Sequence, residues 1–159
     1  MKSTLLAIAV LATSAAPLAH AGQCKSFRVA VVDIPALEGC PTFFCTSGTI
    51  DGNLGLRGTI DATFDSYAKG PATTPEPGRT NSFSSQSVIT TKHGTLTARE
   101  TLIASTQALE PSRRFFAGFG EFIGGTGEYA GATGYMQFAG RQHDGVNVTD
   151  TMVGELCLP

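Results

Sequence analysis

Glu100 is the residue of this sequence whose neighbours most clearly predict chemistry. On the strand predicted around it, the side chains of the same face are apolar, namely Leu96, Ala98, Leu102 and Ala104. A carboxyl group facing an apolar interior loses solvation, which raises its pKa and suits it to general acid or base work. The alternative is a structural glutamate, either satisfied by Arg99, Arg114 or Tyr135 or turned outward by a register slip. We take Glu100 as the candidate catalytic residue and leave that alternative open.

Two aspartates and three aromatic residues are candidates for a ligand pocket. Asp33 and Asp150 each follow apolar residues on one strand face, so either could lie near the mouth of a barrel, although strand-end aspartates also form turns. Phe116 and Phe122 share a face with two glycines between them, a spacing that leaves a slot for a ring. Tyr135 extends this aromatic region. The alternative for the rings is a packed core.

Other chemistries lack the pattern that they require. The cysteine spacing has no second Cys-x-x-Cys and no His pair, so we expect no metal site. The Gly-x-Gly that starts at Gly125 is followed by strand-forming residues instead of a helix, which argues against a nucleotide. The Gly-x-Ser-x-Gly motif of many hydrolases is absent from the sequence. We therefore expect no cofactor.

The first residues have the pattern of a secretory signal peptide. Lys2 precedes an apolar run from Leu5 to Leu11, and Ala19-His20-Ala21 is a small-x-small cleavage site. We predict a signal peptide over 1–21, one domain over 22–159, and a secreted or periplasmic protein. The apolar run is too short for a membrane anchor. With 13 acidic and 11 basic side chains, the chain does not attract nucleic acid by bulk charge.

All four cysteines lie beyond the predicted signal peptide, and an exported protein favours disulfides. Four cysteines allow three pairings. A bridge between Cys24 and Cys157 would tie the two ends of the domain together, and Cys40 and Cys45 flank a short loop. We favour these two pairs.

The fold predicted by strand periodicity is all-β. The clearest alternation runs from Leu54 to Phe64, where apolar and polar residues take opposite faces. Lys69–Thr80, which is rich in proline and glycine, is predicted to be a loop at the rim. The other strands are expected at 26–33, 42–51, 84–91, 95–105, 114–123, 132–140 and 146–156. Eight sequential antiparallel strands can close into a barrel and remove exposed edges, and an open sandwich is the alternative.

The segment Phe116–Gly127 contains a predicted strand and the first glycines that follow it. This segment resembles the signature of the allene oxide cyclase and dirigent protein superfamily. The similarity extends to Gly131–Gly134 and more loosely to His93–Thr97 and Val153–Leu156. The resemblance implies an eight-stranded antiparallel barrel, no metal or organic cofactor, and a homo-oligomer. The matched positions are loop glycines and not pocket side chains, so for function it implies only a small apolar ligand.

Two functions follow as hypotheses. The first is a secreted barrel that binds a small apolar or aromatic molecule, with a cofactor-free cyclase or a dirigent-like guide as its catalytic form. The alternative is a structural or interaction protein whose barrel is filled by its own side chains. A continuous cavity of about 300 Å³ or more favours the first.

Overall fold

Eight antiparallel strands close into a barrel in which each strand pairs with its neighbours in the chain and the last strand pairs with the first. The computed structural model describes residues 23–73, 78–106 and 113–159, and the predicted signal peptide lies outside them. The predicted all-β, eight-stranded antiparallel barrel is confirmed. The strands, with one 3-10 turn between the sixth and seventh, are β1 Gln23–Pro35, β2 Phe44–Gly52, β3 Arg57–Thr73, β4 Gly78–Thr91, β5 Gly94–Thr106, β6 Arg114–Gly125, η1 Gly127–Tyr129, β7 Thr133–His143 and β8 Asn147–Leu158.

Alternating burial along the strands builds the interior. In β1, Phe27, Val29 and Val31 are buried, while Arg28 and Ala30 between them are exposed. This period of two is what a strand requires when one face is apolar and the other faces water. The buried hydrophobic residues of the eight strands together form a single apolar cluster.

Both predicted disulfides are confirmed. Cys24 pairs in register with Cys157 where β1 meets β8, and the two residues are bonded. Cys40 is bonded to Cys45 across the connection between β1 and β2. The first bridge therefore fastens the seam at which the barrel closes, and the second constrains a loop at the other end.

The glycine-rich connection between β6 and β7 closes one end of the barrel. Tyr129 of η1 is buried together with Leu56 and Leu96, and we call these three residues the plug. Gly127 has a φ of +61°, and a Cβ there would collide with the backbone oxygen of His93. Only glycine fits this backbone and this close approach. The loop is thus a fold element that seats the plug.

The predicted loop at Lys69–Thr80 was wrong for the residues that the structure describes, because β3 continues to Thr73 and β4 begins at Gly78. Residues 74–77 lie outside the described residues. The loop was predicted from the prolines and glycines of this stretch, among them Pro71, which cannot donate a ladder hydrogen bond. In the structure the regular β3–β4 pairing is interrupted between Lys69 and Ala72. A strand tolerates proline at such an irregularity, so the long hairpin survives it.

In the part of the chain that the structure describes, no helix is long and apolar enough to cross a membrane.

Candidate functional site

The half of the barrel away from the plug contains a cavity of about 420 Å³. It lies at the end where β1–β2, β3–β4, β5–β6 and β7–β8 are connected, and Phe43, Tyr67 and Arg114 stand at its mouth. Most of its lining is apolar. The aliphatic lining residues are Val31, Ile60, Ala62, Leu102, Ala104, Val148 and Met152.

Five rings in mutual contact form one side of this cavity, and we call them the aromatic wall. Each ring contacts the next in the series Phe44, Phe64, Phe83, Tyr67 and Phe43, with successive centroids 5.1, 6.0, 5.2 and 6.4 Å apart. Rings at such spacings and tilts attract one another through their edges and faces. The wall presents a continuous aromatic surface from the mouth toward the interior.

Glu100 faces inward from β5 and is only 6% exposed. Ser85 of β4 donates a hydrogen bond to its Oε2 at 2.9 Å, and Ser87 donates to its Oε1 at 2.5 Å. Burial raises the pKa of Glu100, the two serine hydroxyls oppose that rise, and Asp33 adds to it. The structure therefore places Glu100 on the inner face, where the alternation of the strand predicted it. Its partners are serines, however, and not Arg99, Arg114 or Tyr135.

Asp33 faces the same cavity from β1. Burial raises its pKa, while hydrogen bonds from the Thr46 hydroxyl and from its own backbone lower it. Its Oδ1 atom is buried and has no hydrogen-bond partner. A buried polar atom without a partner is costly unless a ligand or water supplies one.

Asp150 faces the cavity from β8, diagonally across the β1–β8 ladder from Asp33, because it pairs with Val31 while Asp33 pairs with Val148. Burial, with smaller contributions from the charges of Asp33 and Glu100, raises the pKa of Asp150 to about 7. Its Oδ1 atom is also buried without a partner. Asp150 thus changes protonation near neutral pH inside an apolar cavity.

A glycine lies opposite each of these carboxyl-bearing residues. The cross-strand pairs are Asp33 with Gly48, Glu100 with Gly120, and Asp150 with Gly140. A Cβ at Gly120 would lie 2.7 Å from Met136 Cε and 3.0 Å from Glu100 Cγ, and a Cβ at Gly48 or Gly140 would collide with the Cβ of the opposite aspartate. The glycines leave room beside all three carboxyl groups.

The structure places the three remaining predicted pocket residues at three different locations. Phe116 lines the cavity. Phe122 is buried at 4% exposure and packs 5.6 Å from Phe27 in the core, so it does not line the cavity. Tyr135 is 48% exposed on the outer face. Its assignment to a pocket was wrong, because Met136 is the buried residue of this part of β7 and the alternation of the strand turns Tyr135 outward.

The loop closed by Cys40 and Cys45 carries Phe43 to the mouth of the cavity. Replacing both cysteines with alanine is expected to lower the free energy of unfolding by about 2 kcal/mol, the chain-entropy value for so short a loop. Urea denaturation under non-reducing conditions measures this change. A loss of this size in the variant supports the prediction, and an unchanged unfolding midpoint contradicts it.

Among the residues that the structure describes, no three His, Cys, Asp or Glu side chains are grouped so that they could hold a metal ion. The three cavity carboxyl groups, on β1, β5 and β8, are thus arranged around a space and not around a common point.

No protein-family model matches this sequence, and no curated protein matches it either. The resemblance to allene oxide cyclases and dirigent proteins therefore stays a prediction.

Proposed function

We propose that this protein binds a small apolar or aromatic molecule inside the open half of its barrel. The observation that carries the proposal is the cavity itself, about 420 Å³ with mostly apolar walls and three inward carboxyl groups. Cavities that bind small molecules are commonly roughly 300–1,000 Å³, largely apolar, with a few convergent polar groups. This cavity has each of those properties.

The size of the cavity argues against the alternative of a barrel filled by its own side chains. Small eight-stranded barrels are often filled in that way, and the plug does fill the closed end. At the open end, Ala62 and Ala104 occupy inward positions, where larger residues would have closed the space. The unfilled half is what a ligand-binding barrel requires.

Filling the cavity should prevent binding. Ala104→Phe is expected to weaken the binding of aminoanthracene, an apolar fluorescent probe, by at least about tenfold, which corresponds to roughly 1.4 kcal/mol. A fluorescence titration measures this affinity. The matched control is Ala139→Phe, which adds the same ring to an exposed position on the outer face and should bind the probe as wild type does.

Saturable binding that is lost only in Ala104→Phe supports the proposal. Equal binding by both variants would place the probe outside the barrel, and the absence of saturable binding by wild type would contradict the proposal.

A second candidate function, a cofactor-free cyclase or isomerase, is favoured by the carboxyl groups that face the same space. A group such as Asp150, with a pKa of about 7, can give and take a proton at neutral pH. Glu100, fixed by two serines, is the candidate catalytic residue from the sequence.

On this second candidate, Glu100→Gln should lower turnover of a cavity-bound molecule by roughly 10²–10⁴-fold, the usual contribution of a general acid or base. The melting temperature should change little at acidic pH, where Glu100 is protonated, because a neutral amide can still bond to Ser85 and Ser87. Product formation and thermal unfolding are measured on the same sample. A loss of turnover that merely follows a loss of stability would assign Glu100 to the fold.

We also propose that the protein is exported to the cell exterior or the periplasm. Two disulfides support an oxidising compartment. Assembly into a homo-oligomer stays a prediction.

A further inference from the structure

Asp33 and Asp150 both line the cavity, and each has one buried carboxyl oxygen without a donor. Asp33 Oδ1 and Asp150 Oδ1 are both buried and unbonded, whereas both oxygens of Glu100 accept hydrogen bonds from serines. Diagonal neighbours on one face of an antiparallel pair lie roughly 7–8 Å apart. One donor group between Asp33 and Asp150 could therefore reach both side chains.

The charge of the cavity lining is unbalanced. Asp33, Glu100 and Asp150 contribute three carboxyl groups, and Arg114 is the one basic residue among the described lining residues. Arg114 stands at the start of β6, at the mouth, and is exposed. Among the described residues Arg114 forms no ion pair with these carboxyl groups. Serine hydroxyls donate to Glu100, and the Thr46 hydroxyl donates to Asp33. The interior therefore lacks a cation.

The aromatic wall and the two aspartates lie on different strands. The wall spans β2 to β4 and the connection before β2, while Asp33 and Asp150 lie on the adjoining strands β1 and β8. A molecule with an apolar body against the wall would direct its polar end toward the aspartates. Aromatic faces also attract cations, so both surfaces favour the same charge.

We propose that the ligand of this cavity is an amine with an aromatic or apolar body, whose protonated nitrogen binds between Asp33 and Asp150. This inference rests on the proposed function and specifies its ligand class. The ammonium group supplies hydrogen-bond donors to two carboxyl groups that have few of their own, and it supplies the charge that the lining lacks. An anionic ligand would meet three carboxyl groups and is disfavoured.

Protonation of Asp150 links amine binding to pH. The titratable or charged groups that share the cavity with Asp150 are Asp33 of β1, Tyr67 of β3, Glu100 of β5 and Arg114 of β6. Its neighbour β7 presents Phe138 and Gln142 to the cavity, and Arg141 of β7 lies beside Asp150 in a shallow pocket on the outer face. The amine binds the ionised form, so its affinity rises with the ionised fraction. With a pKa of about 7 for Asp150, affinity should rise roughly tenfold from pH 6 to pH 8 and then level off.

Three matched probes test the ligand class by isothermal titration at pH 8. Naphthylethylamine, naphthylethanol and naphthylacetate share one ring system and differ in whether the head group is cationic, neutral or anionic. We expect the amine to bind at least about tenfold more tightly than the alcohol, because charge-assisted hydrogen bonds are roughly twice as strong as neutral ones. Naphthylacetate should bind most weakly.

Two variants locate the head group. Asp150→Asn and Asp33→Asn should each weaken amine binding by about tenfold and leave naphthylethanol binding nearly unchanged. Retained binding of aminoanthracene, whose aryl amine is uncharged at pH 8, shows that each variant still has its cavity. The control Glu155→Gln, on the outer face of β8 beside the exposed Tyr135, should match wild type with all probes.

The outcomes separate the two proposals. Binding of the alcohol or the acid as tightly as the amine, or unchanged amine affinity in both aspartate variants, overturns the amine inference while the proposed function stands. If none of the three naphthyl probes binds and aminoanthracene does not bind either, the proposed function fails as well.

Discussion

Replacing Asp150 with asparagine is expected to stabilise the protein by about 4 kcal/mol at pH 8. Folding moves this carboxyl group from water into the cavity, and burial raises its pKa from 3.8 to about 7. A difference of that size between the unfolded and folded states corresponds to about 4 kcal/mol. Asparagine has nearly the same shape and carries no charge, so it avoids the cost of ionising a buried group.

The sign of the effect defines its pH window. A carboxyl group whose pKa is raised by folding binds its proton more tightly in the folded state, so stability falls as pH rises. The loss begins near the unfolded pKa, about 4, and is complete above the folded pKa of about 7. Asp150→Asn should therefore match wild type at pH 4 and exceed it progressively up to pH 8.

Urea denaturation at several pH values gives the free energy of unfolding for both proteins. Asp61→Asn, which removes a carboxyl group from an exposed position on β3, serves as control and should change stability by less than about 0.5 kcal/mol. A difference between Asp150→Asn and wild type that does not vary with pH would show that Asp150 has an ordinary pKa.

Removing the hydroxyl groups of Ser85 and Ser87 is expected to have the second large effect on the free energy of unfolding. Both serines are fully buried, and both donate to the Glu100 carboxyl group. Hydrogen bonds to charged groups contribute roughly 1.5–3 kcal/mol each, so the double variant Ser85→Ala/Ser87→Ala should lose about 3–6 kcal/mol at a pH where Glu100 is ionised. The two bonds lower the pKa of Glu100, and their loss makes the ionised form harder to bury.

The destabilisation should consequently grow as pH rises through the pKa of Glu100, because the ionised form depends most on the two donors. Urea denaturation of the two single variants and the double variant, repeated over a series of pH values, measures it. Ser82→Ala on the same strand is the control and should be close to neutral, because the alternation of the strand turns Ser82 toward the outer face, away from Ser85. A loss that does not vary with pH would mean that the serines do not support a carboxylate.

The barrel could be predicted because its local signals agree with one another. Alternation from Leu54 to Phe64 predicted β3 and its inward face, and the position of Cys24 and Cys157 near the two ends predicted the seam between β1 and β8. The start of β3 was placed too early, since Leu54 lies in a turn with a φ of +54°. The long β3–β4 hairpin was missed because the stretch around Pro71 was interpreted as a loop. Proline disrupts a strand where the hydrogen-bonded pairing around it is regular, and here that pairing is interrupted.

The site could be predicted only in part. Alternation on single strands identified Glu100, Asp33, Asp150 and Phe116 as inward residues, and all four line one cavity. The convergence of β1, β5 and β8 on that cavity depends on closure of the barrel, which no single strand reveals.

The aromatic wall was missed for a related reason. Its rings come from the first half of the chain and meet only through pairing across three strands and a loop.

One sequence signal was available for the hydrogen-bond partners of Glu100. Ser85 and Ser87 alternate with outward residues on the same face as Ile89, and two small polar residues on a buried face indicate a buried polar partner.

The most direct test of a ligand cavity built around these aspartates is a carbon NMR titration of the Asp150 carboxyl group, with and without saturating naphthylethylamine. We predict a midpoint of about 7 in the free protein and a clearly lower midpoint with the amine, because a bound ammonium group favours the ionised carboxylate. A midpoint near the ordinary value of 3.8 that the amine does not move would contradict the account.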